Sequence, residues 1–140
     1  MANSVEGFQN SVREAISLAP PFEAAPYYDP DIDALFFYAR SVRSYAKRLN
    51  ATITVFLSMD DDSLVGVKIK GVKRILRRVE SLQDTMKMVL IDSSIKLGIF
   101  VQFALATPPD DPALDEYERQ LEQYKDVPVR TTELSPALAT

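Results

Sequence analysis

Two runs of alternating apolar and polar positions stand near the centre of the chain. Ile53, Val55, Leu57 and Met59 alternate with Thr52, Thr54, Phe56 and Ser58; after Asp-Asp-Asp-Ser, Val65, Val67 and Ile69 alternate with Gly66, Lys68 and Lys70. Period-2 runs joined by a short acidic turn predict an antiparallel hairpin with one face buried. Gly71 ends it, and the period then changes. Val72, Ile75, Leu76, Val79 and Leu82 follow at helical spacing, with Lys73, Arg74, Arg77 and Arg78 on the other side, so an amphipathic helix is expected.

The flanks read less simply. Ser4 can cap a first helix with the stripe Val5, Phe8, Val12 and Ile16, which Pro20-Pro21 ends. Ala34 to Ala39 is short and aromatic, which predicts a strand. Its apolar residues point both ways, Leu35 and Phe37 to one side and Phe36 and Tyr38 to the other, so it needs cover on both faces. Ser41 to Asn50 reads as a short helix or a basic loop. Met88 to Ile91 is a short apolar run, and every odd position from Ile95 to Leu105 is apolar, so a long strand paired with that run is expected. Asp111 and Pro112 are suited to open a helix whose face carries Leu114, Tyr117, Leu121 and Tyr124, with core-facing tyrosines. Residues 1–4 and 128–140 read as frayed tails of a single domain spanning residues 1–140.

These elements make an α+β fold: an antiparallel sheet of four to five strands with two or three helices packed on it. The expected core side carries Leu35 or Phe36, Val55, Val67, Ile69, Ile99, Val101 and Phe103.

Composition narrows the chemistry. The chain of 140 residues has no His and no Cys, which removes the commonest acid/base near neutral pH, the thiol nucleophile and the usual zinc ligands. The balance leans away from an enzyme, and no catalytic residue, cofactor or metal is assigned. The opening MANSVEGFQNSVREA carries acids and lacks an apolar run, so no secretory signal is expected. The uncharged stretch Leu97 to Pro109 is shorter than the roughly 20 residues that span a bilayer. A cytoplasmic protein with no membrane association is the expectation.

Charge is uneven. Residues 1–39 hold one basic and six acidic side chains, whereas residues 40–78 hold ten basic and three acidic. Lys68, Lys70, Lys73, Arg74, Arg77 and Arg78 form a candidate basic surface for nucleic acid, but the chain's pI of about 4.8 and the lack of any nucleic-acid motif weigh against that partner. Asp29, Asp31 and Asp33 have the spacing that opens a calcium loop, yet Ala34 and Arg40 stand where the loop needs Gly and Glu. A turn leading into a strand is the better reading, and Asp60-Asp61-Asp62 reads as a solvated turn.

The stretch YDPDIDALFF, followed by TVFLSMDDDSLVGVKI, resembles a small bacterial family of uncharacterised domains with a Tyr-Asp-Pro-acid-x-Asp-x-Leu-Tyr strand motif. Tyr28, Asp29, Pro30, Asp33, Leu35, Leu57, Asp60, Asp62, Val65, Gly66, Val67 and Ile69 occupy matching positions, and the resemblance covers residues 27–78. Ser63 departs from the family's turn glycine, and Lys68 from its frequent acid. The resemblance implies a fold element and no reaction; Asp33 and the acidic turn are then structural signatures.

For function, the leading expectation is a non-catalytic domain for protein–protein interaction or self-association, working as a homodimer. The candidate binding residues are Tyr27, Tyr28, Phe36, Tyr38, Phe56 and Phe100. Four of these, Phe36, Tyr38, Phe56 and Phe100, are expected on strand faces opposite the core, and the commonest cover for such a face is a two-fold copy. The alternative cover is the first and last helices of the same chain. A competing expectation is a small-molecule-binding domain or weak carboxylate-dependent hydrolase, with a cleft lined by Tyr27, Tyr28 and Phe36; nucleic-acid binding through residues 68–78 is the third.

Overall fold

A computed structural model describes residues 22–80, 94–106 and 114–138. The fold is α+β. Strands β1 (Tyr27–Asp29), β2 (Ala34–Tyr38), β3 (Ser44–Arg48), β4 (Ile53–Ser58) and β5 (Leu64–Lys70) form one antiparallel sheet in the order β1-β2-β5-β4-β3. Helix α1 (Val72–Glu80) follows. Strand β6 (Ser94–Lys96) runs directly into helix α2 (Leu97–Leu105). Helix α3 (Leu114–Leu121), a 3-10 turn at Glu122–Tyr124, strand β7 (Pro128–Arg130) and the short helix α4 (Ser135–Leu138) complete the described chain.

The β4–β5 hairpin forms where alternation predicts it, in the register Val55↔Val67 and Ile53↔Ile69, with a bulge between Phe56 and Leu57. Asp62 closes its turn with a φ of 59°, a left-handed conformation that Asp tolerates better than most residues. Gly71 (φ 75°) reverses the chain out of β5, and α1 buries Val72, Ile75, Leu76 and Val79. Each such side chain contributes roughly 1.5–3 kcal/mol of transfer free energy. Strand β2 pairs with β5 over Ala34↔Lys70 to Tyr38↔Gly66, bringing together residues some thirty positions apart.

Several expectations are corrected. The segment Ile95–Leu105 is not a long strand: only Ser94–Lys96 is extended, it pairs with β7, and Leu97–Leu105 is helical. Gln102 is the one polar side chain in α2, so the odd-position pattern coexists with a helical one, and the buried set is Leu97, Phe100, Val101 and Ala104. A nearly all-apolar segment carries no periodicity that separates strand from helix. Ile99 and Phe103, expected in the sheet core, pack half-buried against it from that helix.

Phe100, expected on the outside, is fully buried in the core. Residues 128–138 are not a frayed tail: β7 pairs with β6, and Val129, Leu134 and Ala137 are buried. The stretch read as a short helix or basic loop supplies the edge strand β3. Its Arg48 is exposed and its Lys47 is half-buried, with the ammonium over the Tyr117 ring; charged residues of this kind are typical of edges that resist further pairing.

The expected helix at Ser4–Ile16, the Met88–Ile91 run and the Asp111–Pro112 cap lie outside the described residues. Leu121 and Tyr124 are buried, and Leu114 and Tyr117 pack against the core, so this face of α3 turns inward as its spacing predicts.

A candidate binding face on the sheet

The pairing registers sort the sheet's side chains between two faces. Leu35, Phe37, Val55, Val67 and Ile69 join the core with residues from α1, α2, α3 and α4. Their strand neighbours point the opposite way. There Tyr27 lies across from Phe36, Phe36 from Lys68, and Tyr38 from Gly66, which itself faces Phe56 on the far strand.

These neighbours form a continuous aromatic cluster. The Tyr27 and Phe36 rings stack with centroids 5.0 Å apart and planes 6° from parallel. The Lys68 ammonium sits 5.5 Å from the Phe36 centroid, approaching from the strand on the other side. Phe36 is therefore held between a ring and a cation, an arrangement favoured by its electron-rich faces. Phe56 lies 6.5 Å from Phe36 and 4.8 Å from Tyr38.

Gly66 makes the last contact possible. A Cβ built on it would lie 2.5 Å from the Phe37 carbonyl oxygen and 3.0 Å from the Tyr38 ring, so only hydrogen lets these strands and rings approach so closely. Burial raises the Tyr38 phenol above its ordinary pKa, with a smaller contribution from Tyr27, so it stays neutral.

The face is graded. One end carries Tyr38, Gly66, Phe56 and Ala46; the middle carries Tyr27, Phe36, Lys68, Thr54 and Arg48; the far end carries Asp29, Ala34 and Lys70. None of the four rings belongs to the packed core or to the apolar residues resting against it.

Of the six sequence candidates, Tyr27, Phe36, Tyr38 and Phe56 come together here, and two do not. Phe100 is in the core. Tyr28 points to the core side and is buried, so Tyr27, Tyr28 and Phe36 cannot line one cleft. The basic set also divides. Lys68 and Lys70 are on the aromatic face, whereas Lys73, Arg74, Arg77 and Arg78 belong to α1, which packs on the opposite side of the sheet. The residues missed by sequence reasoning are Gly66 and Lys68 as parts of the aromatic cluster. The hairpin register alone places them beside Phe56 and Thr54, but the β2–β5 pairing that completes the cluster is non-local.

The acids of the two motifs are engaged in local structure. The Tyr28 hydroxyl donates to Asp33 Oδ1 at 2.6 Å, and the amide of Lys73 donates to both oxygens of the same carboxylate, at 3.1 and 3.4 Å. Gly71 N–H and Val72 N–H donate to the Asp33 carbonyl. Asp33, in a left-handed conformation (φ 51°), thus caps α1 from forty residues away. Burial, then the hydrogen bond to Asp33, raises the Tyr28 phenol far above its ordinary range and keeps it a donor.

In the hairpin turn, Asp61 accepts from the hydroxyl and amide of Ser63, which lowers its pKa, and Asp62 accepts from the Tyr45 hydroxyl. Among the described residues no three acidic side chains gather as metal ligands would. A cleft of about 360 Å³ runs between α2 and α3, lined by Gly98, Gln102, Glu118, Leu121, Glu122 and Lys125 among others, with charges of both signs.

Comparison with protein-family models, with curated proteins and with solved structures finds no match to this chain.

Proposed function

We propose that this protein is a non-catalytic interaction domain whose working surface is the aromatic outer face of the sheet, and that its first partner is a second copy of the same chain. The observation that carries the reading is the four-ring cluster lying outside the packing of the core. Apolar surface of this kind is stabilised by cover, and a two-fold copy supplies a matching face. The grading of the face suits that symmetry. An axis through the Tyr38–Phe56 end would bring rings onto rings and leave Lys68, Lys70 and Arg48 of the two copies at opposite ends.

Nucleic acid fits the same face less well. A stacking platform needs open ring faces for bases, and both faces of Phe36 are occupied, by Tyr27 and by Lys68. The family resembled over residues 27–78 has no established activity and adds no reaction to this reading. No helix among the described residues is long and apolar enough to cross a membrane. The cysteine-free composition suits a cytoplasmic setting.

Sedimentation equilibrium at tens of micromolar tests the reading. The expected result is a species of twice the 15.7 kDa chain mass. Tyr38→Glu should reduce it to monomer while Arg77→Glu, on the opposite side of the sheet, leaves it unchanged. A single species near 15.7 kDa in the unmodified chain would overturn the proposal.

A further inference from the structure

The two edges of the sheet are not alike. The β1 edge is three residues long, and Tyr28 N–H on it donates to Glu133 Oε1 at 2.9 Å, so a side chain from the loop after β7 closes it. The β3 edge is five residues long, about 17 Å, and ends the sheet order. Met59 N–H donates to the Arg43 carbonyl, and Leu49 N–H to the Ile53 carbonyl, so the odd positions from Arg43 to Leu49 bond inward to β4. The main-chain groups of Ser44 and Ala46, between them, are directed away from the sheet. Among the described residues no further strand pairs with β3.

The side chains along that edge are sorted by chemistry. Val42, Tyr45 and Met59, each at least 40% exposed, gather at its Ser44 end. The acids of the adjoining hairpin turn are held there, Asp61 by the Ser63 hydroxyl and Asp62 by the Tyr45 hydroxyl. Lys47 and Arg48 stand at the other end, and residues 40–48 hold four cations and no acid. A second β3 laid against this one would bring the same four cations with it, and like charges of this kind keep edges from pairing with themselves. An acidic strand is attracted by the same cations.

We infer that the β3 edge takes an extended acidic segment of a partner protein by strand addition. Its main chain bonds to Ser44 and Ala46, its apolar side chains lie at the Val42–Tyr45 end, and its carboxylates lie at the Lys47–Arg48 end. Main-chain bonds supply the affinity, and the graded side chains fix which way the segment runs. The inference does not rest on self-association, because the aromatic surface is a face of the sheet and this site is its rim.

Synthetic nine-residue peptides of alternating Val and Thr, with Glu placed in one half or the other, serve as probes of the full-length chain. Binding is titrated while amide hydrogen exchange is followed by NMR. The Glu peptides should bind and slow exchange of the Ser44 and Ala46 amides. Replacing Glu by Lys, or N-methylating alternate peptide amides, should each weaken binding about ten-fold. Ala46→Pro removes an outward amide and no ladder bond, so it should weaken binding by a similar factor with thermal unfolding nearly unchanged. If that variant does not fold, the N-methylated peptide asks the same question of the unmodified chain. Binding should persist in Tyr38→Glu, whatever its oligomeric state, so failure of the self-association reading and failure of the edge site are told apart. Four results would each overturn the inference: Ser44 and Ala46 amides already protected without peptide, equal binding of Glu and Lys peptides, indifference to N-methylation, or no binding by any probe at millimolar concentration. Loss of binding in Tyr38→Glu would also overturn it, by moving the peptide to the aromatic face.

Discussion

On its inner face the sheet carries Leu35, Phe37, Val55, Val67 and Ile69, none more than 4% exposed; on its outer face the same strands carry Tyr27, Phe36, Tyr38 and Phe56, with Tyr27 46% exposed. The inner set is largely aliphatic and interlocks with helix residues, as a dry core requires. The outer set is aromatic and polarisable, stacked within its own layer and tied to a lysine. An aliphatic face is stable only when sealed. A ring cluster partly satisfies itself within its own layer, so its packing depends less on being sealed.

That contrast can be broken most severely from inside. Phe100 is fully buried in the core, so Phe100→Ala should cost about 3–5 kcal/mol in urea denaturation, and Phe100→Glu should unfold the chain rather than separate copies of it. An effect below about 1 kcal/mol would show that α2 does not seal the inner face.

Gly66 couples the two faces. Gly66→Ala drives a methyl into the Phe37 carbonyl and the Tyr38 ring, and the expected cost is about 1–3 kcal/mol, accompanied by altered self-association. A neutral result would mean that the strands can part without loss.

Asp33 links the sheet to α1. Asp33→Ala removes a helix cap and the acceptor for Tyr28, for an expected loss of about 1–2 kcal/mol, while Asp33→Asn, which keeps an acceptor and tolerates positive φ, should lose less. Equal losses would exclude the capping role.

A pH scan sharpens the same point. Tyr28 has a folded-state pKa raised above its ordinary 10.0, so its contribution is complete below pH 10 and is lost as pH rises through the folded value. The alkaline decline in thermal stability above pH 10 should be smaller in Tyr28→Phe than in the unmodified chain. An identical decline would contradict the assigned hydrogen bond.

The smallest effect belongs to the outer face. Tyr27→Ser removes one stacked pair from an edge strand and should change stability by about 0.2–1 kcal/mol. If it cost as much as a core substitution, the claim that this face is marginal to folding would fail.

The sequence by itself determined the β4–β5 hairpin, helix α1 and the two-sided strand β2, because each of those segments meets water on one side or shows plainly that it does not. It also indicated that Asp29, Asp31 and Asp33 form a turn, since the calcium spacing breaks at Ala34 and Arg40. Tertiary structure alone decided the rest. Leu97–Leu105 has almost no polar positions, so nothing local distinguished strand from helix; in the fold its first amides, of Leu97 and Gly98, donate to the carbonyls of Val127 and Lys125, just after the 3-10 turn. The ordering of residues 128–138 depends on pairing with β6, some thirty residues earlier. The candidate face has the same character. Its rings were visible as residues, but which side of the sheet each one takes follows from the β1–β2 and β2–β5 registers, and a shift of one position would exchange Tyr27 for Tyr28. Local periodicity records where the chain meets water, whereas register and helix docking are set by partners distant in sequence.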